Sequence, residues 1–521
     1  MPVYADQPPT ASVAAVVILA AGEGKRMRSS RSKLLHEIAG HSMLSYAVTA
    51  ATTLRAEHVV VVVGHLRDQV EAHLAEIAPH VMTVVQAEQR GTGHAVQVAL
   101  DQLADLTGEV VVTYGDVPML TSETLADLVS EHRRQEAAIT VLTARVEDPT
   151  GYGRIVHTED GGVAGVVEHK DADDAQRLIT EINSGIYVFA AETLRQGLAE
   201  ITPANSQGEH YLTDVLGAAG RAGQRVSAYE VADLWQTEGV NDRVQLARMN
   251  AEMNRRILLR WMRAGVTVVD PGSTWVHASV DLGEDVTLLP GTSLEGATSV
   301  GAGATIGPDT TLIDVEVGPG ARVVRTHGSL SVIGADASVG PYAYLRPGTT
   351  LGERGKIGTF VETKNAQLGA GAKAPHLAYV GDAVIADGAN IGAGVIFANY
   401  DGQHKYSTTV GAYSFVGSDS VLVAPVEIGD GAYVAAGSTI TSDVAAGELA
   451  VSRGRQRNIP GWVGRKRPDT RSARAAAAAL DNRTVGEAIG QDQETVEAPV
   501  QRQVVTELGL SAAASPERET P

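Results

Sequence analysis

The sequence predicts two folds in one chain: a Rossmann-like α/β domain and, after a connector helix, a parallel β-helix built from hexapeptide repeats. Three observations lead to this prediction. Short apolar segments alternate with helical patterns in the first half of the 521 residues, and an apolar residue returns every six positions in the second half. Between the halves lies one longer segment with an apolar stripe at helical spacing.

The first half contains short, continuous apolar segments that predict buried strands. They are VVVVV (59–63), VMTVV (81–85), EVVVT (109–113) and AITVLT (138–143). Residues 65–78 and 93–106 lie between strands and have helical spacing. Because continuous apolar strands are typical of sheets that are buried on both sides, we expect a mostly parallel sheet covered by helices on both faces.

Residues 241–264 predict one longer helix, which we take as the connector. Its apolar residues step by three or four along one face: Leu246, Met249, Met253, Ile257 and Trp261. Gly265 follows at the position where a helix commonly ends. We expect this stripe to pack against a neighbouring domain.

From about residue 266 the pattern changes to a six-residue apolar repeat. One run consists of Val410, Val416, Leu422, Ile428, Val434 and Ile440, and earlier runs of the same period begin at Val300 and Ile333. This period predicts a parallel β-helix, which also accounts for 56 glycines beside only 4% aromatic residues. Residues 358–379 and 397–408 interrupt the repeat, and we expect loops there, on the binding face.

These patterns divide the chain into five parts. We expect a disordered N-terminus (1–13), the α/β domain (14–240), the connector helix (241–264), the β-helix domain (265–465) and a disordered tail (466–521). The tail is predicted to be disordered because it has no sustained apolar pattern.

Composition excludes several classes of protein. The chain has no cysteine, which excludes disulfides and thiolate–metal sites and agrees with a cytoplasmic location. The longest apolar segment, 13–22, is too short to span a bilayer and lacks the flanks of a signal peptide. A net charge of −20 argues against general nucleic-acid binding, so any anionic ligand requires a local cluster of cations.

One such cluster follows the first apolar strand. Nine residues contain five cations: Lys25, Arg26, Arg28, Arg31 and Lys33. They follow the turn Gly22-Glu23-Gly24, whose backbone could approach a phosphate closely, and the alternative is a solvated basic loop. Asp116 follows the strand 109–113, at the edge where α/β sheets place their sites, although an ordinary turn aspartate would also explain it.

The motifs LAAGEGKRM, QAEQRGTGHA, YGDVP, GYGRI, VEHKDA, EINSGIY and EGVNDR resemble those of sugar-1-phosphate nucleotidylyltransferases. Together with the hexapeptide repeat, residues 14–464 resemble the bacterial bifunctional N-acetylglucosamine-1-phosphate uridylyltransferase/glucosamine-1-phosphate N-acetyltransferases. The resemblance implies a left-handed β-helix, a homotrimer with acetyltransferase sites between neighbouring subunits, and small-molecule substrates. It further implies acetylation of glucosamine-1-phosphate by acetyl-CoA, followed by uridylyl transfer from UTP.

The resemblance also implies roles for residues of the α/β domain. The UTP site would comprise Leu19, Ala20, Ala21, Gly22, Arg26, Lys33, Gln86, Gly91, Thr92, Tyr114, Gly115 and Asp116. The sugar phosphate would be held by Gly153, Glu168, Asn183 and Asn241. Asp116 and Asn241 would bind Mg²⁺, a cation that prefers oxygen ligands.

Acetyl transfer to an amine requires a general base and donors for an oxyanion, and His376 is the candidate base. A lone histidine is more often structural, but Arg346, Lys364, Tyr379 and Asn390 lie about one to two coils apart along a solenoid whose turn is about 18 residues, so they could line one strip of surface with it. The resemblance assigns these four to glucosamine-1-phosphate. It assigns to acetyl-CoA the residues Asn399, Tyr400, Lys405, Ser418, Ala436 and Arg453, with Arg455 or Arg457 as alternatives to Arg453.

Two residues depart from the pattern of the family, which usually has Thr at position 25 and Pro at position 32. Lys25 would either strengthen phosphate binding or point to solvent, and Ser32 would leave the loop less restrained than proline does. Two alternatives remain for the function. One is another sugar-1-phosphate nucleotidylyltransferase with a non-catalytic β-helix, and the other is a scaffold without catalysis.

Overall fold

The computed structural model describes residues 12–159, 161–203, 205 and 207–489. The chain divides into two compact units, Met1–Arg453 and Gly454–Pro521. The disorder that we expect at residues 1–11 and 490–521 concerns parts of the chain outside this description.

The α/β domain is built on one central sheet. In spatial order its main strands are Val226–Glu230, Ile139–Arg145, Glu181–Ala190, Glu109–Tyr114, Ala15–Ala20, His58–Val63 and Met82–Val85. A hairpin, Arg154–His157 with Val163–Val167, joins Glu181–Ala190. The strand Glu181–Ala190 is antiparallel to both of its main neighbours, so the sheet is mixed. The other six main strands run in one direction, which confirms a mostly parallel sheet. An inner strand is apolar whichever way it runs, and the sequence pattern therefore does not show its direction.

Helices cover both faces of the sheet, as predicted. They are Met43–Thr53, Arg67–Ile77, Thr92–Asp101, Ser122–Arg134, Ala191–Glu200 and Asp214–Arg221. Alternate residues of the first strand enter different cores: Val16 and Ile18 pack into one cluster, and Val17 and Leu19 into the other. This two-sided burial explains why the strands are apolar without alternation.

The connector helix spans Arg243–Arg263, close to the predicted range. Asp242 caps its N-terminus by accepting hydrogen bonds of 2.9 Å from the Val244 and Gln245 backbones. Gly265 follows with a φ of +96°, a left-handed conformation that favours glycine. Met249, Met253 and Ile257 of the predicted stripe are buried in one core that also contains Met43 of the α/β domain and Val276 of the β-helix. Leu246 and Trp261 are partly buried and pack against this core.

The β-helix is a stack of short, parallel strands. One sheet contains Thr267–Val268, Thr287–Leu288, Thr305–Ile306, Arg322–Val323, Ser338–Val339, Lys356–Thr359, Lys373–His376, Asn390–Ile391, Phe415–Val416, Tyr433–Val434 and Leu449–Ala450. The other sheet contains Trp275–Val276, Asp281–Leu282, Thr292–Glu295, Ser299–Val300, Thr310–Val317, Thr326–Ile333, Ala343–Leu345, Thr350–Leu351, Glu362–Leu368, Tyr379–Ile385, Ile396–Ala398, Thr408–Val410, Val421–Val423, Val426–Ile428 and Thr439–Ile440. The repeat residues point inward and are buried, which confirms the hexapeptide pattern.

Of the two predicted interruptions, only one is a loop. Lys356 pairs with Lys373 and Lys373 with Asn390, so residues 358–379 form ordinary coils and the prediction of a loop there is wrong. Coils that are one residue shorter at a corner shift the phase of the hexads without inserting a loop. Asn390 pairs with Phe415, and the longer spacing in the chain reflects a true insertion near residues 399–407.

The unit from Gly454 contains the helices Trp462–Lys466 and Arg471–Ile489. Our prediction of disorder from residue 466 is therefore wrong for residues 471–489. The segment RAAAAAL, at 474–480, is rich in alanine, the residue with the highest helix propensity, and forms a helix without an apolar stripe. Among the described residues, no helix is long and apolar enough to cross a membrane.

Two candidate active sites

The turn after the first strand leaves space for a ligand. Gly22 is exposed, and a Cβ atom at this position would meet nothing within 4 Å. Gly24 has a φ of +62°, and a Cβ atom there would lie 2.8 Å from the Cβ of Lys33. Glycine at position 24 therefore lets the Lys33 segment pack directly against the turn.

Lys33 connects three distant parts of the sequence. Its ammonium group forms an ion pair with Asp116 and donates a hydrogen bond of 3.2 Å to Oδ1 of Asn241. The Lys33 and Asp116 side chains are largely shielded from solvent, with 12% and 17% of their surfaces exposed. Oxygen atoms of two side chains thus accept from one ammonium group. Asp116 contacts residues far away in the sequence, which an ordinary turn aspartate would not do.

The other cations of the basic loop fall into two groups. Lys25 pairs with Glu23 and is 81% exposed, and Arg31 pairs with Glu37 at 3.0 Å. Arg26 and Arg28 are exposed and contact no acidic side chain within the described residues. Arg26 and Arg28 are therefore both accessible to an anion, whereas Lys25 faces solvent.

The second glycine-rich turn, at residues 86–92, is held by a buried amide. Gln86 is 5% exposed and donates a hydrogen bond of 3.1 Å to the Gly91 carbonyl. Gly91 has a φ of +104°, and a Cβ atom there would lie 2.6 Å from the carbonyl oxygen of His210. The hydroxyl of Thr92 accepts a hydrogen bond of 3.1 Å from the Leu212 backbone. Gly91 therefore permits close packing that any other residue would disturb.

The predicted sugar residues lie together on the hairpin and the antiparallel strand. The Asn183 backbone donates a hydrogen bond of 2.9 Å to the Gly153 carbonyl, and Asn183 Oδ1 accepts one of 2.9 Å from the Tyr187 hydroxyl. A Cβ atom on Gly153 would lie 3.4 Å from both carboxylate oxygens of Glu168. Gly153, Glu168 and Asn183 therefore form one cluster.

Two titratable groups of this site have shifted pKa values. Burial, followed by the negative charges of Asp171 and Asp214, raises the pKa of Glu168 above its usual range. Burial and the nearby Asp116 also raise the pKa of the Tyr114 phenol. Both shifts follow from removing an anion from water, as expected in a cleft shielded from solvent.

On the β-helix, two predicted cations have acidic partners that the sequence reasoning missed. Arg346 pairs with Glu362 at 3.0 Å, and Lys364 lies 3.5 Å from Asp382. Lys364 is in register with Gly381 on the next coil, so Asp382 lies one residue beyond the position stacked on the lysine. Stacked positions on these two coils are 17 residues apart, and this spacing in the sequence could have identified Asp382 as a neighbour of Lys364.

Asp382 connects residues assigned to different substrates. It accepts hydrogen bonds of 3.0 Å from Asn365 and 2.5 Å from Asn399, in addition to its ion pair with Lys364. Burial acts to raise its pKa, but the two amides and the lysine outweigh burial and lower the pKa. Asp382 therefore remains ionised and orients groups from both predicted subsites.

The inserted loop near residues 399–407 brings a third cation, Lys405, close to Arg346 and Lys364. Lys405 forms a bridge with Tyr400 in the loop, and the neighbouring Lys364 lowers the pKa of Lys405. Two adjacent ammonium groups repel each other, so this arrangement favours an anion between them. Lys405, which we assigned to acetyl-CoA, therefore contacts the predicted sugar-phosphate cluster.

The remaining residues of the predicted acetyl-transfer site are distributed over the two sheets. Tyr379 is in register with Glu362, and its hydroxyl accepts a hydrogen bond of 3.4 Å from Asn399. His376 and Asn390 belong to strands of the other sheet. Within the described residues, the imidazole of His376 is exposed and makes no hydrogen bond. The candidate base therefore lies three residues before Tyr379 in the chain but on the other sheet.

Three predicted acetyl-CoA residues lie on successive coils. The Gly437 backbone donates a hydrogen bond of 2.8 Å to the Ser418 carbonyl, and Arg453 donates one of 2.8 Å to the Ala436 carbonyl. Among the late arginines, Arg453 is thus tied to this strip, whereas Arg455 and Arg457 belong to the separate unit from Gly454.

The fold and the two clusters define a transferase with a nucleotidyltransferase domain and a hexapeptide β-helix. Family models agree with this class: residues 16–217 match the MobA-like NTP transferase domain, and residues 407–442 match six repeats of the bacterial transferase hexapeptide.

Full-length relatives identify the family. A "Bifunctional protein GlmU" of Pseudarthrobacter chlorophenolicus is 57% identical over 478 residues, which cover 91% of this chain and 97% of the relative. Proteins of the same name from Paenarthrobacter aurescens and Streptomyces avermitilis are 54% and 55% identical, covering 94% and 89% of this chain and 99% and 97% of their own lengths. The chain belongs to the GlmU family of bifunctional transferases.

Proposed function

We propose that the chain acetylates glucosamine-1-phosphate with acetyl-CoA and then transfers a uridylyl group from UTP to the product. The observation that carries this proposal is the presence of two separate polar clusters, one on each transferase domain. Lys33, Asp116 and Asn241 form the first, and Arg346, Lys364 and Asp382 organise the second. A β-helix that served only as a scaffold would not require the second cluster.

Uridylyl transfer requires charge neutralisation and positioning more than a protein nucleophile. An oxygen of the sugar phosphate attacks the α-phosphorus of UTP, the bond to the bridging oxygen breaks, and pyrophosphate leaves. Arg26 and Lys33 would neutralise the triphosphate above the open turn at Gly22. Gln86, Gly91 and Thr92 would bind the uracil, and the cluster of Gly153, Glu168 and Asn183 would hold the sugar.

The donor set at Asp116 fits Mg²⁺. Asp116 and Asn241 direct oxygen atoms at a single cation, the Lys33 ammonium group. Mg²⁺ is commonly held by one or two carboxylates together with substrate phosphates, and Asp116 supplies such a carboxylate. Bound Mg²⁺ would neutralise charge on the phosphates, and Asp116 and Asn241 would hold it.

In acetyl transfer, the amine of glucosamine-1-phosphate attacks the thioester carbonyl, and coenzyme A leaves as the thiol. His376 would accept the proton that the amine loses, and its exposure leaves the imidazole free to do so. Arg346, Lys364 and Lys405 would bind the sugar phosphate, with Tyr379 and Asn390 positioning the ring. The acetyl-CoA would lie along Asn399, Tyr400, Ser418, Ala436 and Arg453.

A homotrimer would complete this site. Tyr342, Phe360 and Leu377 form an exposed apolar column at one corner of the β-helix, with 52%, 58% and 59% of their surfaces accessible. The rings of Tyr342 and Phe360 stack with centroids 5.3 Å apart. Because the column includes the residue after His376, a neighbouring β-helix that covered it would bring its own side chains to the imidazole.

We also propose a cytoplasmic location, because UTP and acetyl-CoA are the proposed substrates.

Product analysis by mass spectrometry tests the proposal. Purified protein receives glucosamine-1-phosphate, acetyl-CoA, UTP and Mg²⁺, and a parallel reaction lacks acetyl-CoA. We expect UDP-N-acetylglucosamine only in the complete mixture. Supplying N-acetylglucosamine-1-phosphate and UTP without acetyl-CoA should restore the product. Uridylyl transfer without any acetylation would instead support a nucleotidylyltransferase with a non-catalytic β-helix.

A further inference from the structure

A side chain outside the predicted sites holds the segment that carries Lys33. Gln69, near the start of the helix Arg67–Ile77, accepts a hydrogen bond of 2.9 Å from the Ser32 backbone N–H through Oε1. Its Nε2 donates a hydrogen bond of 3.1 Å to the Ser30 carbonyl. One amide therefore pairs with the backbone on both sides of Arg31, in the way that a neighbouring strand would.

The helix is itself fixed to the beginning of the basic loop. The His65 backbone donates a hydrogen bond of 3.3 Å to the Ala21 carbonyl. A Cβ atom on Gly64 would lie 2.8 Å from the Cβ of Ala21, so the two turns are in close contact. Gly64 and His65, which lead into this helix, thus contact Ala21, and Gln69 contacts the far end of the loop at Ser30 and Ser32.

The hydrogen bond from Ser32 requires a residue other than proline. Ser32 is 5% exposed, and its φ of −53° lies within the range that proline adopts. Proline would fit this backbone but has no N–H to donate. In this chain a hydrogen bond from the Ser32 backbone to Gln69 therefore restrains the loop. In a chain with proline at position 32, the proline ring would restrain the backbone instead.

We propose that Gln69 is a positioning residue for uridylyl transfer, which it serves by holding the Ser30–Ser32 backbone so that Lys33 reaches Asp116 and the triphosphate. This inference rests on the proposed uridylyl transfer. Without the amide, the buried Ser32 N–H loses its partner and the Lys33 segment gains freedom. We expect the loss of Gln69 to weaken the binding of UTP, because the Gln69 amide holds the loop backbone that positions Lys33.

A double-mutant cycle tests the proposal. Gln69→Met keeps the length and helix propensity of the side chain but removes both hydrogen bonds, and Ser32→Pro removes the N–H that Gln69 accepts. We expect Gln69→Met to raise the KM for UTP about tenfold in the Ser32 chain, the size of one or two ordinary hydrogen bonds, with kcat changed less. In the Ser32→Pro chain the same substitution should cost about threefold or less.

Controls separate this role from a general loss of structure. Glu76→Met, an exposed position on the same helix, should leave the KM for UTP unchanged, and acetyl transfer should be unaffected in every variant. Equal costs of Gln69→Met in the two backgrounds, or no cost in the Ser32 chain, would overturn the proposal.

Amide hydrogen exchange measures the restraint without any turnover. In the substrate-free protein we expect Gln69→Met to accelerate exchange at the Ser32 amide, with little change in the strand Ala15–Ala20. Unchanged exchange at Ser32 would refute the restraint even if UTP binding weakened. An inactive wild-type protein with a protected Ser32 amide would contradict the proposed uridylyl transfer and leave the restraint supported.

Discussion

Lys33 and Lys25 lie eight residues apart in the same basic loop but have different surroundings. Lys33 is shielded and bonded to Asp116 and Asn241, whereas Lys25 is exposed and paired with Glu23. We therefore expect Lys33→Met to lower kcat/KM for uridylyl transfer by about 10²-fold or more, because a preorganised cation contributes strongly to the stabilisation of developing charge. The matched substitution Lys25→Met should change it less than about twofold. Steady-state assays with UTP measure both, and equal losses would contradict this assignment.

The exposed imidazole of His376 is the proposed general base of acetyl transfer. We expect His376→Ala to lower acetyl transfer by about 10²- to 10⁴-fold, because a general base contributes a factor of this size. Uridylyl transfer should remain near normal, since the first cluster lies in the α/β domain. His327→Ala, another exposed histidine of the β-helix, is the control and should retain both activities. A His376→Ala protein that kept acetyl transfer would exclude this base.

At the scale of an element, the connector helix carries a partly buried ionic network. Arg256 donates hydrogen bonds of 2.7 and 2.9 Å to Asp233 and one of 2.7 Å to Glu252. The hydrogen bond from Arg256 is the largest cause that lowers the pKa of Asp233. For Glu252 the hydrogen bond from Arg255 is the largest cause, and Arg256 adds to it. The network therefore ties the connector helix to the segment before it.

Because both carboxyl pKa values are lowered by folding, the network stabilises the protein above the unfolded pKa values of 3.8 and 4.5. This stability is lost as the pH falls through the lower pKa values of the folded protein. We expect Arg256→Met to reduce the unfolding free energy by about 2 kcal/mol at pH 7, and by less as the pH falls below about 4. Arg263→Met, exposed at the end of the same helix, is the control. Chemical denaturation at several pH values measures the difference, and a cost independent of pH would contradict this account.

At the scale of the whole molecule, the apolar column of Tyr342, Phe360 and Leu377 predicts that acetyl transfer can be lost while uridylyl transfer is kept. We expect Phe360→Glu to place a charge in the proposed interface between β-helices, to prevent assembly of the proposed trimer and to abolish most acetyl transfer. Uridylyl transfer should persist, because its cluster is complete on one chain. Met82→Glu replaces an exposed apolar residue of the α/β domain and should leave the assembly unchanged. Sedimentation velocity with both assays tests this, and a trimeric, active Phe360→Glu protein would exclude the column as the interface.

The sequence was most informative where structure depends on local periodicity. The hexad from Val410 to Ile440 predicted inward-facing residues that the structure buries, and the stripe of the connector helix predicted its packing face. The same approach failed where the pattern was ambiguous. At residues 358–379 the shift in hexad phase predicts a loop, but the structure has ordinary coils there. At 471–489 the absence of an apolar stripe predicts disorder, but alanine alone favours the helix that forms.

The sequence alone was sufficient to predict the two folds, their boundary at the connector helix and the residue types at each site. Burial gives neighbouring residues a periodic pattern, and this pattern is visible without knowledge of the fold. Which distant groups meet depends on the tertiary structure. Lys33 contacts Asp116 and Asn241, which are 83 and 208 residues away. The parallel strands that precede Lys33 and Asp116 end at the same edge of the sheet, and the Val240 backbone donates a hydrogen bond to the Asp116 carbonyl. The contacts of Asp382 with Asn399 and of Gln69 with Ser32 likewise depend on which elements become neighbours, and no local pattern records that choice.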